Sequence, residues 1–301
     1  GIWGVFVHPR PGLITDYLSD RWNELFRHTV ERGKYLGMQV WIYDENSYPS
    51  GFAGGHVPAA MPESFNQGQG LRMKQVRKLP AEMGEKICLV LKKEGERFVD
   101  ITENPSQYRD STGDYYLFQR DSYGRSPWFG GYSYVDLLLE GVTEKFIEVT
   151  MQGYEKAFGA EFGKAVPGIF TDEPNINPPG DISWTPRLFE RFQQRWGYDL
   201  KTQLPSLWIE VGDWRRVRHN YRALLMELFI ERWSKPWFAY CEENNLKWTG
   251  HYWEHGWPDP SHGPDNMAMY AWHHVPSIDI LMNQYSRSVN AQFGSVRAVK
   301  E

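Results

Sequence analysis

Trp41-Ile42-Tyr43-Asp44-Glu45-Asn46-Ser47-Tyr48-Pro49-Ser50-Gly51-Phe52-Ala53-Gly54-Gly55 runs from a short aromatic strand, predicted over Met38–Tyr43, into two adjacent carboxylates and then a turn rich in Gly, Pro and Ser. The same design recurs at Gly168-Ile169-Phe170-Thr171-Asp172-Glu173-Pro174. Strands that end in acids and lead into Pro or Gly loops are what a β/α barrel presents at its active face. There the strand C-termini supply the chemistry and the loops supply specificity. The expected fold is therefore α/β: a (β/α)8 TIM-type barrel, incomplete in this chain, with a small inserted antiparallel β subdomain.

Outward from that stretch, Gly1–Val7 reads as a first strand, closed by His8-Pro9-Arg10-Pro11-Gly12. Trp22, Leu25, Phe26, Val30 and Tyr35 recur at helical spacing, and Gly37 supplies a stop. The segment 56–133 breaks the rhythm. Lys86–Lys92, Arg97–Thr102 and Tyr115–Gln119 are strand-like and separated by turn residues, which predicts an inserted antiparallel unit. Alternation resumes with a strand predicted at Tyr134–Leu138, a helix at Thr143–Phe158 and a strand at Val166–Thr171. Helices are predicted from Pro186 to Trp196 and from Trp214 to Asn244, then strands at Leu246–Tyr252 and Ile278–Met282. This gives a barrel start at 1–55, the insertion at 56–133 and a barrel continuation at 134–301. Six strands are two short of closure. The chain opens in a strand, without Met or signal peptide, and stops in a helical pattern, which predicts a piece of a longer polypeptide. A fragment with open strand edges is expected to self-associate and to show little activity.

Composition excludes several classes. The net charge of -5 gives no electrostatic reason for a nucleic-acid partner, and no apolar run approaches the roughly 18 residues of a membrane span. The 14 Trp, 17 Tyr and 16 Phe make the chain 16% aromatic, which suits it to the apolar faces of pyranose rings. Cys88 and Cys241 are far apart and lack metal-ligand spacing.

Thr171-Asp172-Glu173-Pro174-Asn175 is the leading catalytic candidate. Glycoside hydrolysis uses two carboxyl groups, one protonated as acid and one ionised as base or nucleophile. Thr249-Gly250-His251-Tyr252-Trp253-Glu254-His255-Gly256-Trp257-Pro258 offers the second, Glu254, with His251 as a hydroxyl donor and Trp253 or Trp257 as stacking platforms. His8 and Arg10 read as substrate-orienting donors, with an ion pair to Asp44 or Glu45 as the rival role. Tyr43, Asp44, Glu45 and Asp172 complete the expected substrate-binding set. For metal, His8-Pro9-Arg10 lacks a second histidine, no His-Glu-x-x-His occurs, and adjacent His273-His274 diverge on a strand, so zinc is not expected. A calcium site built from carboxylates and carbonyls has no sequence pattern here and stays open. No phosphate-cradling Gly loop and no Gly-x-Ser-x-Gly elbow is present.

His8-Pro9-Arg10-Pro11-Gly12, the Trp41–Gly55 block and Thr171-Asp172-Glu173-Pro174 together resemble glycoside hydrolase family 106 and related large secreted bacterial glycosidases that act on plant polysaccharides. The resemblance implies an inverting α-L-rhamnosidase whose acidic residue at the fourth strand end matches Glu173. It also implies an oligo- or polysaccharide substrate, an extracellular or periplasmic setting, and additional domains of the same polypeptide. The alternatives are a non-catalytic carbohydrate-binding barrel and a barrel metallohydrolase.

Overall fold

Apolar and aromatic residues at period two build short strands here, and helices with one apolar stripe cover them. The computed structural model describes residues 1–10, 12–253 and 259–279. The strands are β1 (Gly4–Val7), β2 (Gln39–Tyr43), β3 (Gly70–Val76), β4 (Ile87–Glu94), β5 (Arg97–Asp100), β6 (Tyr115–Asp121), β7 (Gly168–Asp172), β8 (Ile182–Ser183), β9 (Lys247–His251) and β10 (Val275–Pro276). The helices are α1 (Asp20–Leu36), α2 (His56–Ala60), α3 (Glu63–Asn66), α4 (Val142–Phe158), α5 (Leu188–Trp196), α6 (Trp214–Phe229), α7 (Lys235–Glu243) and α8 (Asn266–Tyr270). None of them is long and apolar enough to cross a membrane.

The chain divides into two units. The first holds Gly1–Ser64, Gly124–Ile176 and the residues from Leu228 onward. Its core is a parallel sheet in the order β1-β2-β7-β9-β10, with Val7 beside Ile42, Tyr43 beside Phe170 and Asp172 beside His251. Because every pair is parallel, all strand C-termini lie along one edge. Among the described residues the sheet is open, with β1 and β10 at its margins. One face carries Val40, Ile42, Ile169 and Trp248, all buried. Helix α1 closes on this face through Gly33, where a Cβ would come within 2.5 Å of a Val40 methyl. Its N-terminus is capped by Ser19, which accepts the Trp22 N–H, and Gly37 ends it at φ 67°. Trp22 Nε1 donates to the Tyr154 hydroxyl of α4 at 2.8 Å, and Trp237 of α7 stacks on Trp248. The opposite face presents Phe6, Trp41 and Phe170, with Phe6 centred 5.5 and 5.3 Å from the other two rings.

The second unit holds Phe65–Tyr123 and Asn177–Glu227. Its antiparallel sheet runs β5-β4-β6-β3-β8 over a core of Leu79, Val90, Ile101, Tyr115 and Leu117. The three strands predicted in the insertion appear as β4, β5 and β6. Strand β3 was not predicted, because Arg72, Lys74 and Gln75 hide its alternation, yet it pairs with β6 along its whole length. The unit is bounded by Phe65 and Tyr123 rather than 56 and 133, and it takes in 177–227, a stretch the sequence pattern assigned to the barrel continuation.

Three other expectations are corrected. Tyr134–Leu138 is not a strand, and β2 pairs directly with β7. Its apolar run signals burial rather than pairing: Tyr134, Val135, Leu137 and Leu138 are all buried, and Asp136 accepts the Leu138 N–H at 2.9 Å in a tight turn. The helix predicted from Trp214 to Asn244 is interrupted by a π-helical turn at Ile230–Ser234. Pro236, which lacks an N–H, follows at the start of α7. Among the described residues the last pairing strand is Val275–Pro276; of the strand expected at Ile278–Met282, Ile278 and Asp279 are irregular and 280–282 lie outside the described residues.

Candidate functional site

In the first unit, the C-terminal ends of four adjacent parallel strands gather the residues able to do chemistry. Strand parity sets which side chains share a face. His8 beyond β1, Tyr43 on β2, Phe170 and Asp172 on β7, and His251 on β9 fall on the same face as Phe6 and Trp41. Their rings form a row across the sheet. His8 stacks on Tyr43 with centroids 3.2 Å apart, Tyr43 on Phe170 at 5.4 Å, and Phe170 meets His251 edge-on at 5.7 Å.

Asp172 is the hub. The Tyr43 hydroxyl donates to Asp172 Oδ2, and His251 Nε2 lies 3.2 Å from Oδ1. Burial opposes ionisation of Asp172, but the bond and charge of His251, the Tyr43 bond and the charge of His8 outweigh it, leaving the carboxyl below its ordinary range. Burial, followed by the Asp172 charge, drives the Tyr43 phenol well above its ordinary value. His8 is lowered to about 4, mainly by burial and then by Arg10, with Asp172 pulling the other way.

Glu173 should point away from this face by strict alternation. Its backbone instead takes φ 47°, a left-handed conformation that non-Gly residues seldom adopt. That turn brings its carboxylate back: ligand atoms of Asp172, Glu173 and His251 all lie within 4.8 Å of one another. The Glu173 N–H donates to the His251 carbonyl at 3.0 Å, and the Glu173 side chain is buried. Gly250 makes room for the close strand approach, since a Cβ there would sit 2.0 Å from the Thr171 carbonyl oxygen.

The Trp41–Gly55 block organises itself around its two acids. Glu45 Oε1 accepts the N–H groups of Asn46 and Gly54 at 2.9 and 2.6 Å, while Oε2 accepts those of Phe52 and Ala53 at 3.1 and 2.6 Å. The chain wraps its own carboxylate. Burial raises Glu45 to about 7, and backbone bonds from Asn46, Ala53 and Gly54 oppose the rise. Asp44 is also fully enclosed, and burial followed by the Glu45 charge pushes it well above the carboxylate range. Ser50 ties the loop to β7. Its hydroxyl donates to Asp44 Oδ1 at 2.8 Å and accepts the Asp172 N–H at 2.7 Å, and its own N–H donates to the Asp172 carbonyl at 2.7 Å.

His8, Tyr43, Asp172, Glu173 and His251 are thus brought together. Asp44 and Glu45 lie enclosed beside them without exposed surface. Arg10 is exposed, and the rival ion pair to Asp44 or Glu45 does not form. Trp253 stacks on His262 at 5.0 Å, with planes 8° apart. Glu254 and Trp257 lie outside the described residues. Ser50 was legible only as a loop residue, since nothing local in the sequence announces a bond to a strand 122 positions away. The Asp172, Glu173 and His251 cluster escaped spacing rules for the same reason.

No family model matches the sequence, and no curated protein does. Among solved structures, the rhamnosidase from Novosphingobium sp. PP1Y is similar in fold, with a TM-score of 0.57 at 13% identity. The likeness covers 86% of this chain and 43% of that one, so the chain spans less than half the length of the structure it matches.

Proposed function

We propose that this chain is part of the catalytic core of a glycoside hydrolase, of the family 106 type and acting on α-L-rhamnosides of complex plant-type saccharides. The observation that carries the reading is the convergence of Glu173 with Asp172 and His251 at parallel strand ends, produced by the left-handed backbone of Glu173. In this reading Glu173 is the general acid. Asp172, held by Tyr43 and His251, stands beside it as the neighbouring carboxylate of the same cluster. His8, Arg10, His251 and Tyr43 orient sugar hydroxyls, and Trp253 lends a ring face. Asp44 and Glu45 act through the loop they organise. Glu254 is proposed as the partner base. An inverting pair separates its carboxyls by roughly 6.5–9.5 Å to admit a water.

The test is Glu173→Gln. Turnover of substrates with poor leaving groups is expected to fall by more than about a hundredfold, the scale of general acid catalysis, while activated aryl glycosides suffer less. An equal, small loss for both removes Glu173 from the role. Saccharide binding without turnover by the wild type would favour the non-catalytic reading.

One observation favours a second reading. Asp172, Glu173 and His251 offer three ligand atoms within 4.8 Å, a spacing able to hold a divalent cation. The cation would have to displace Tyr43 and His251 from Asp172. Activity lost on chelation and restored by a single metal would establish this reading. Unchanged turnover in chelator would remove it.

A further inference from the structure

We propose that Tyr48 and Trp128 form an accessory saccharide subsite flanking the Asp172–Glu173 end of the sheet, taking a pyranose ring beyond the one whose bond is cleaved. The proposal rests on the glycosidase reading above. Trp128 is 40% exposed, whereas Trp22, Trp233, Trp237 and Trp248 are buried. It is nevertheless held in place. Its indole N–H donates to the Tyr48 carbonyl at 2.6 Å, and its backbone N–H donates to Ser126 Oγ at 3.2 Å.

The turn that carries it is wedged against the glycine-rich end of the block. A Cβ on Gly130 would sit 2.2 Å from the Gly54 carbonyl oxygen, and Phe129 meets Phe52 edge-on at 5.0 Å. Gly54 is itself bound to Glu45. A large exposed ring immobilised in this way has already lost the rotamer freedom that binding would otherwise remove.

The chemistry selects a sugar. With its single donor committed to Tyr48, the indole offers an aromatic face without a polar requirement, which matches the C–H face of a pyranose. Tyr48, 37% exposed, sets its ring at 83° to the indole with centroids 5.5 Å apart, closing one side as a wall. Its phenol can both donate to and accept from a hydroxyl. Position follows from the chain: Tyr48 is two residues from Ser50, which bonds the Asp172 backbone, and two residues span at most about 7 Å. Tyr48, and the Trp128 indole bonded to its carbonyl, therefore sit on the loop that holds the β7 end.

The experiment compares wild type, Trp128→Ala and Trp128→Phe of the full-length protein on two probes, 4-nitrophenyl α-L-rhamnopyranoside and a rhamnosyl-terminated tetrasaccharide. Trp128→Ala is expected to raise KM for the tetrasaccharide roughly five- to tenfold and to leave the one-sugar substrate within about twofold, while Trp128→Phe keeps most of the tetrasaccharide affinity. Equal losses on both probes, or none, overturn the subsite. If wild type turns over neither probe, the glycosidase reading fails and the subsite is read from calorimetric binding of the tetrasaccharide. Weaker binding by Trp128→Ala then supports it. Unchanged binding, or no binding by the wild type, overturns it.

Discussion

Replacing Glu45 by Gln should destabilise the protein far more than an isosteric change at a substrate contact would. Each Glu45 oxygen accepts two backbone N–H groups: Asn46 and Gly54 on Oε1, Phe52 and Ala53 on Oε2. Gln offers one acceptor oxygen and one NH2 group. Whichever way the amide turns, two N–H donors then face another donor at 2.6–3.1 Å, either the buried pair of Phe52 and Ala53 or the part-buried pair of Asn46 and Gly54. Leaving one such group unsatisfied costs about 1–3 kcal/mol, so the pair should cost roughly 2–6 kcal/mol, a large share of a typical net stability. The loop carries Ser50, so the loss should also reach the Asp172 backbone. Equilibrium urea denaturation at pH 8 would measure the cost, and amide exchange would show whether Phe52, Ala53 and Gly54 lose protection. A Glu45→Gln change below about 0.5 kcal/mol with unchanged exchange would refute the carboxylate-in-amides reasoning.

Ser50→Ala should remove the acceptor of the Asp172 N–H and the donor to Asp44, lowering stability by about 1–3 kcal/mol, and misplacing Glu173 should cut turnover roughly tenfold or more; Ser50→Thr, which keeps the hydroxyl, should restore both. A stable Ser50→Ala variant with full turnover would contradict this. NMR titration of His8 should give a midpoint near 4. A histidine whose folded value lies below its unfolded one binds fewer protons when folded, so its stability contribution is lost as pH falls from about 6.5 through that midpoint. A midpoint near 6.5 would show that His8 is not enclosed as described. Glu45 has the opposite sign: raised to about 7, it contributes stability that is present below its ordinary carboxylate value and lost as pH rises through about 7. The difference between wild type and Glu45→Gln should change across that window, and a flat difference from pH 4 to 8 would contradict the raised value.

Strand ends were readable where apolar runs stop at acids. β2 and β7 were anticipated because the apolar runs Trp41-Ile42-Tyr43 and Ile169-Phe170 give way to Asp44-Glu45 and Asp172-Glu173 within one or two residues. Tyr134–Leu138 misled because a buried loop and a buried strand share an apolar composition, and only hydrogen bonding separates them. Strand β3 was missed for the converse reason, its solvent-facing side chains masking a fully paired strand.

The sequence by itself determined which residue types stand at which strand ends: carboxylates after β2 and β7, a histidine closing β9, and a glycine-rich loop long enough to wrap Glu45. It could do so because these are local properties of consecutive residues. Tertiary structure alone decided which of those acids meet. Strand alternation separates Asp172 from Glu173, and only the left-handed turn at Glu173, clamped between the His251 carbonyl and a β7 end held by Ser50, returns both carboxylates to His251. Asp44 and Glu45 have the same local sequence character but were drawn inside, Glu45 by the loop's own amides and Asp44 beside the Ser50 hydroxyl. Which acids are enclosed depends on where backbone N–H groups converge, and that convergence arises from the folded path of the chain.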